Sequence, residues 1–427
     1  PLFSGEVSID SIALDGLQLR WEATPDTQKV DTSKMNDAQL NDFYAQRRKA
    51  REEAGDNAGA EAALALPLAL NVSRLVVTNA RIEMIDPETG ATAIEIERLQ
   101  ASGLNLEGQP IPLQLTMHLP GEQPMDINLE GTVRIEEDTQ LAQLDNVKVQ
   151  VKGATADTVK LSLNGPVDLS RQTAKLALQL DTGATHGEGT VRYASFESPQ
   201  IDADLHINLL DPALLLLAGP EATEGGPATE GSGSLPLDAI RGIDTRAALR
   251  VDKARLDTHT VNNMVVKLRA VEGVIDISTL KGELHGGQLD ASATFDGRLN
   301  TAKLNTRGGL TGLDIQRAIA ATETTTEITG SATLQWQLLS SGKTTDELIT
   351  NMSGPIKLET AEVTLKGTNV ERLLCKSVAL AKQEKLTQSF SPDTQFETLG
   401  AQIQLADGHA VLRPTTAERR GGEVSRD

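Results

Sequence analysis

The chain has 427 residues, enough for two or three ordinary domains or for one elongated repetitive one. Its net charge of −20, from sixty acidic and forty basic residues, excludes the clustered Lys and Arg that nucleic acid rewards. Hydrophobic residues make up 39% but aromatics only 2%, so Leu, Ile, Val and Ala are spread along the chain where a deep core would use large rings. One cysteine, Cys375, excludes an intrachain disulfide framework. No apolar run is long enough for a spanning helix, and a chain opening on Pro1 reads as a fragment or processed product whose signal or anchor lies upstream.

In chain order, strands are expected at Val7–Ile9, Ile12–Leu14 and Leu17–Trp21, with Asp15-Gly16 as a hairpin turn. From Asp31 to Glu53 the period becomes helical, capped by Ser33 or Asp37, and Met35, Leu40 and Phe43 supply few apolar contacts. The helical and loop insertion covers about 31–65, ending in a Gly/Ala/Glu connector at Ala54–Ala65. Strands follow at Leu70–Val77, Arg81–Ile85 and Ile94–Leu99, with a turn at Asp86–Gly90.

Met125–Ile135 states the pattern most plainly: Met125, Ile127, Leu129, Val133 and Ile135 alternate with Asp126, Asn128, Glu130, Thr132 and Arg134. Successive side chains on a strand point to opposite faces, so one face is apolar and the other wet. Ile111–Leu119, Val147–Val151, Val159–Leu163, Lys175–Leu180 and Ile201–Leu209 repeat it. Short Gly and Asn/Asp links imply antiparallel pairing, without the helices that parallel crossovers need.

Leu210–Leu217 is a short apolar segment, and 218–234 reads as a flexible Gly/Glu/Thr/Pro loop. Strands resume at Arg246–Val251, Val265–Leu268, Val274–Ile277, Gly282–Phe295, Lys303–Leu310, Ile328–Leu338 and Ile356–Leu365, and close at Gln402–Leu405 and Ala410–Leu412. Helices fit Asp314–Ala321, Lys343–Met352 (opened by Thr344 or Thr345) and, best of all, Asn369–Lys385. The domain reading is therefore an amino-terminal β-rich region at 1–217, a loop at 218–234, a carboxy-terminal β-rich region at 235–414, and a disordered tail at 415–427.

No catalytic constellation stands out. The histidines at 118, 186, 206, 259, 285 and 409 are scattered, and none sits at a metal-ligand spacing. Cys375 reads as a buried helical thiol. There is no Gly-x-Ser-x-Gly elbow and no Walker loop, and Gly286-Gly287 marks a bend or bulge. Acidic pairs such as Glu136-Glu137 are solvated strand ends in so acidic a chain. The chain is expected not to be an enzyme, with no cofactor and no metal.

What the apolar stripes touch has two readings. They meet each other in a closed β-sandwich or a row of them, or they line an open, curved sheet whose groove takes lipid tails. About twenty strands at roughly 4.8 Å would make a continuous sheet about 95 Å long. The residues expected to line such a groove are Leu113, Leu115, Met117, Ile127, Leu129, Val133, Val149, Leu161, Leu163, Leu176, Leu178, Leu205 and Ile207.

Several segments carry a resemblance. Val7–Leu19 (VSIDSIALDGLQL) and Leu75–Ile82 (LVVTNARI), with the Asp86–Gly90 turn downstream, resemble early β-repeats of the AsmA family of bacterial envelope proteins. Leu280–Ser292 (LKGELHGGQLDAS) resembles that family's Tyr-Gly-Gly-type strand motif, with His285 in place of the aromatic. Thr311–Gln316, Asn351–Leu358, Gly367–Cys375 and Lys385–Thr387 are the tightest matches, and there the resemblance extends to an individual member. It covers most of the chain apart from 31–65, 219–233 and the tail after 415.

The resemblance implies a mainly β protein: an elongated, curved antiparallel sheet with an apolar concave groove and a few short helices. It implies a periplasmic chain anchored at the inner membrane of a Gram-negative bacterium through a helix absent from this sequence. It implies a bridge-like role in phospholipid transport towards the outer membrane, without covalent chemistry. The expected partners are phospholipid or another acyl lipid, the inner membrane, possible outer-membrane assembly proteins, and no nucleic acid. The alternative is a scaffold that assists outer-membrane protein assembly by offering strand edges.

Overall fold

The computed structural model of the chain describes residues 7–22, 35–54, 70–86, 90–104, 109–121, 124–136, 140–153, 157–194, 200–210, 235, 237–242, 244–256, 258–322, 327–383, 389–406 and 408–419. The expected Gly-rich loop at 218–234, the apolar segment beyond Leu210 and the connector at 55–65 lie outside the described residues.

The fold is mainly β. The chain divides into two compact units: Pro1–Gly225 with Leu237–Arg250 and Arg269–Gly273, and Gly226–Pro236 with Val251–Leu268 and Val274–Asp427. Strands β13 (Asp244–Leu256) and β14 (His259–Val271) are shared between them.

The first unit is built on β4 (Leu70–Asp86). From it runs an antiparallel meander of β5 (Gly90–Leu104), β6 (Ile111–Leu119), β7 (Met125–Glu136), β8 (Leu141–Lys152), β9 (Val159–Asp168), β10 (Thr173–Thr182), β11 (Thr185–Ala194) and β12 (Gln200–Leu210). Each pairs with the next in sequence. The clean period-two pattern explains this: adjacent antiparallel strands need only short links, and the polar face stays in water.

Its front end departs from the expectation. β1 (Val7–Ile9), β2 (Ile12–Asp15) and β3 (Gln18–Glu22) form no hairpin with one another but all run parallel to β4. Val7 lies beside Leu70, Ile12 beside Leu75 and Gln18 beside Arg81, a single constant offset. The three are pieces of one interrupted strand. Gly16, at φ 71, steps out of line and its N–H donates to Thr78 O at 3.0 Å. Opposite it, Asn79 at φ 52 carries β4 through the break, which fuses the expected strands Leu70–Val77 and Arg81–Ile85. A parallel return needs a long crossover, and this one contains the helix Asp37–Ala54. Asn36 caps that helix in place of Ser33 or Asp37. Its Oδ1 accepts from Ala38 N and Gln39 N, and Gln39 Oε1 accepts from Asn36 N, a reciprocal box. Leu40 on this helix is fully buried.

The second unit contains an antiparallel meander of β15 (Val274–Leu284), β16 (Gly287–Asp296), β17 (Ala302–Asp314), β18 (Ile328–Gly342), β19 (Gly354–Leu365), β20 (Thr394–Ala406) and β21 (His409–Arg419). The single strand expected at Gly282–Phe295 is a hairpin. His285 and Gly286 both have positive φ (48 and 81), and Leu284 pairs with Gly287, so the loop is the two-residue mirror-image turn that suits strand twist. β21 runs to Arg419 where a frayed tail from Thr415 was expected: β20 extends back past Phe396 and gives residues 416–419 a partner edge. Residues 420–427 lie outside the described residues.

Short helices interrupt this unit. Asp314 caps Ile315–Ala320 through Arg317 N, and Thr344 caps Thr345–Thr350 through Glu347 N. The helix Val370–Lys382 is capped by Asn369. Cys375 on it is half-buried, not buried as expected, because no residue of that helix is buried. Among the described residues β4 pairs only with β1–β3 and β5, and β21 only with β20, so the edges at β1–β3 and β21 are open. Bulges on β7–β8, β15–β16 and β17–β18 bend the strands that carry them.

Candidate functional site

Directly paired residues on neighbouring strands project to the same face. The register therefore decides which aliphatic side chains share a surface. Val77 lies beside Leu99, Leu99 beside Leu115, Leu115 beside Leu129, Leu129 beside Val149, Val149 beside Leu161 and Leu161 beside Leu180. The row passes Gly187 and ends on Ile207. One uninterrupted apolar line thus crosses the first unit from β4 to β12.

Parallel lines flank it. Ile96, Met117, Ile127, Val151 and Val159 form one, and Val147, Leu163, Leu178, Gly189 and Leu205 another. Leu113 lies beside Ala101 and Gly131, Val133 beside Ile111 and Leu144, and Leu176 beside Val191. All the residues expected from the sequence therefore fall on one face. Leu99, Val77, Val151, Leu180 and Val191 belong to the same surface and were left out of the expectation, although Leu180 continues the alternation of Leu176 and Leu178.

None of the expected residues is buried and none is exposed; all sit between. A second sheet packed on this face would have buried them, so the closed-sandwich reading is set aside among the described residues. β11 was missed in the sequence because Gly187 and Gly189 stand where the period calls for aliphatics. The gap is functional packing: a Cβ on Gly189 would fall 2.9 Å from Leu205 Cδ2. Leu205 leans over the glycine and keeps the surface apolar.

The opposite face is charged and self-complementary. Arg134 Nη2 lies 2.5 Å from Asp145 Oδ2, His186 Nδ1 2.7 Å from Asp181 Oδ2, and Arg250 Nη2 3.2 Å from Asp204 Oδ1. Lys148, Lys160, Asp181, His186, Glu188 and His206 line an open depression of about 600 Å³ on this side. Its signs are mixed and its groups face water, which suits a solvated surface. At the edge of the sheet Thr78 and Asn79 donate to Asp15 Oδ1 and hold its carboxyl below the ordinary carboxylate range.

The second unit carries similar lines. Leu280, Ala291, Gly308, Trp336, Ile356, Ile403 and Leu412 follow one another across β15–β21, beside Leu289, Leu310, Leu334, Leu358 and Ala401. Near its edge, His259 Nδ1 and His285 Nε2 are 2.9 Å apart. Among the described residues no group of three or more His, Cys, Asp or Glu is placed to hold a metal ion, and no helix is long and apolar enough to cross a membrane.

This succession of open antiparallel strands with short capped helices coincides with a family match, since residues 234–415 fit the AsmA family. That region of the chain, residues 234–415, is similar to the AsmA family. Protein AsmA of Escherichia coli (strain K12) is 20% identical over 318 residues, which are 68% of this chain and 51% of that protein. The chain spans about half the length of this AsmA-family relative. Identity at that level supports the family and does not reach the individual member that the carboxy-terminal segments resemble. No solved structure matches the chain.

Proposed function

We propose that this chain binds acyl lipid on the apolar face of its sheet and serves phospholipid transport between the inner and outer membranes of a Gram-negative cell. The observation that carries the proposal is the unbroken row from Val77 to Ile207, buried at Val77 and from Leu99 onward half-buried and uncovered by any other described element. Eight strand spacings of about 4.8 Å give it a length of roughly 38 Å. One acyl chain spans about half of a 30 Å hydrocarbon core, so the row is long enough to hold more than one. Each methylene taken from water contributes about 0.8 kcal/mol, and the cost of moving a tail from one Leu to the next is small because neighbouring sites are alike.

Headgroups would remain in water at the open edge of the sheet. The reading needs no covalent chemistry, metal or cofactor. The match of residues 234–415 to the AsmA family supports an envelope role, and periplasmic placement with inner-membrane anchoring is part of the proposal.

The test is organic extraction and mass spectrometry of protein purified without detergent and passed through a lipid-free column. Stoichiometric phospholipid supports the reading. Protein of the same fold that stays empty when offered liposomes overturns it and leaves the strand-edge scaffold for outer-membrane assembly as the better account.

A further inference from the structure

The helix Val370–Lys382 is fixed at one end and bare along its length. Its base is well tied. Asn369 and Thr394 are buried; Asn369 Nδ2 donates to Ser391 O at 2.7 Å, and Val370 N donates to Thr394 Oγ1 at 2.8 Å. Beyond this anchor the helix makes no packed interface with another described element.

Its composition nevertheless asks for a partner. At 3.6 residues per turn Val370, Leu373, Leu374, Val378, Leu380 and Ala381 fall within an arc of about 160°. Leu373 is 56% exposed, Leu374 63%, Val378 54% and Leu380 81%. Ser377 lies inside that arc, but its Oγ donates to Leu373 O at 2.9 Å, so its hydroxyl is satisfied by the helix and leaves the surface apolar.

The charges say what kind of partner fits. Lys376 borders one side of the arc, Glu371 and Lys382 share the other, and Arg372 lies behind, so three bases stand against one acid. This helix is basic in a chain of net charge −20. A second copy would add the same excess of two positive charges, with nothing to balance it. An anionic bilayer offers acyl chains to the leucines and phosphates to the lysines at the arc's two edges.

We infer that Val370–Lys382 is an interfacial membrane-docking helix that lies flat on an anionic lipid surface. This adds a membrane contact to the proposed lipid transport but rests on separate residues, and lipid extraction reads one while vesicle binding reads the other.

The experiment is flotation of the full 427-residue chain with phosphatidylcholine vesicles, with and without about one-third phosphatidylglycerol. The wild type is expected to float with the anionic vesicles and to lose most binding in high salt. Leu374→Asp with Val378→Asp, and separately Lys376→Glu with Lys382→Glu, should each weaken binding by about tenfold or more. The charge pair guards against loss of fold in the Asp pair, and circular dichroism checks both. Wild type that does not float, variants that float equally well, or a wild-type dimer that the Asp pair turns into monomer would each overturn the inference. Protein that carries phospholipid but does not float would remove this helix's role and leave the sheet reading standing.

Discussion

The indole of Trp336 lies over Gly308, and a Cβ built on that glycine would fall 2.6 Å from Trp336 Cζ2. The ring's Nε1–H donates to Thr306 Oγ1 at 3.2 Å, so its polar edge is satisfied while its face covers the backbone. The same added Cβ would fall 2.6 Å from Ala291 Cβ, so the new side chain is crowded from both neighbouring strands. Gly308→Val is therefore expected to destabilise the second unit by about 1–3 kcal/mol. Trp336→Ala should cost less than the roughly 3–5 kcal/mol of a fully buried ring, because Trp336 is only half-buried. Urea midpoints check both. A Trp21→Phe background isolates the Trp336 emission, which should shift to longer wavelength in Gly308→Val.

Leu163 and Leu178 face each other across β9 and β10. Replacing both with Asp places two charges at positions that still see water, so the sheet is expected to keep its fold, with a drop in urea midpoint but no loss of cooperativity. A fully buried unpaired charge would not be tolerated in this way. Lipid recovered by extraction should fall about tenfold, since the substitution removes the acyl contact of two leucines. Retained lipid in a folded variant would move the binding surface elsewhere.

What could be read from the sequence followed side-chain periodicity. Strands that alternate aliphatic and polar residues, such as Ile111–Leu119, lie where the pattern puts them, and the residues chosen from them share one face. Alternation gives no direction to a strand, so the parallel run of β1–β3 was invisible: its signature is a crossover distant in sequence. Glycine misled in both directions. Gly187 and Gly189 hid β11, whereas Gly286 and Gly287 hid a hairpin inside what looked like one strand. The helix Val370–Lys382 was plain as a helix, but helical period alone does not say whether its apolar arc is covered.

The anchor of that helix gives a third prediction. Asn369 Oδ1 accepts from Arg372 N at 2.6 Å while its Nδ2 donates to Ser391 O, so one side chain both caps the helix and ties it to the loop before β20. Asn369→Ala should cost about 1–2 kcal/mol locally, the upper range for a lost cap, because the tie to Ser391 O goes with it. Amide hydrogen exchange should rise through 370–382 and stay unchanged in β15–β17. Asn369→Asp keeps the cap and loses only the donor, so its effect should be smaller.

The last prediction concerns acid. Burial, and secondarily the neighbouring His259, hold the His285 imidazole below its ordinary pKa of 6.5, while Asp314 acts in the opposite sense. The contact of 2.9 Å between His259 Nδ1 and His285 Nε2 also needs one neutral acceptor, so it does not survive with both rings charged. The unfolded chain therefore binds more protons than the folded one as pH falls below about 6.5, and stability rises with pH across that window. The contribution is complete above the unfolded value and is lost progressively as pH drops towards the folded one. His285→Asn retains the positive φ that the turn requires. Urea midpoints between pH 5 and pH 7.5 should fall more steeply with acid in the wild type than in His285→Asn, and equal slopes would assign the acid sensitivity to other groups.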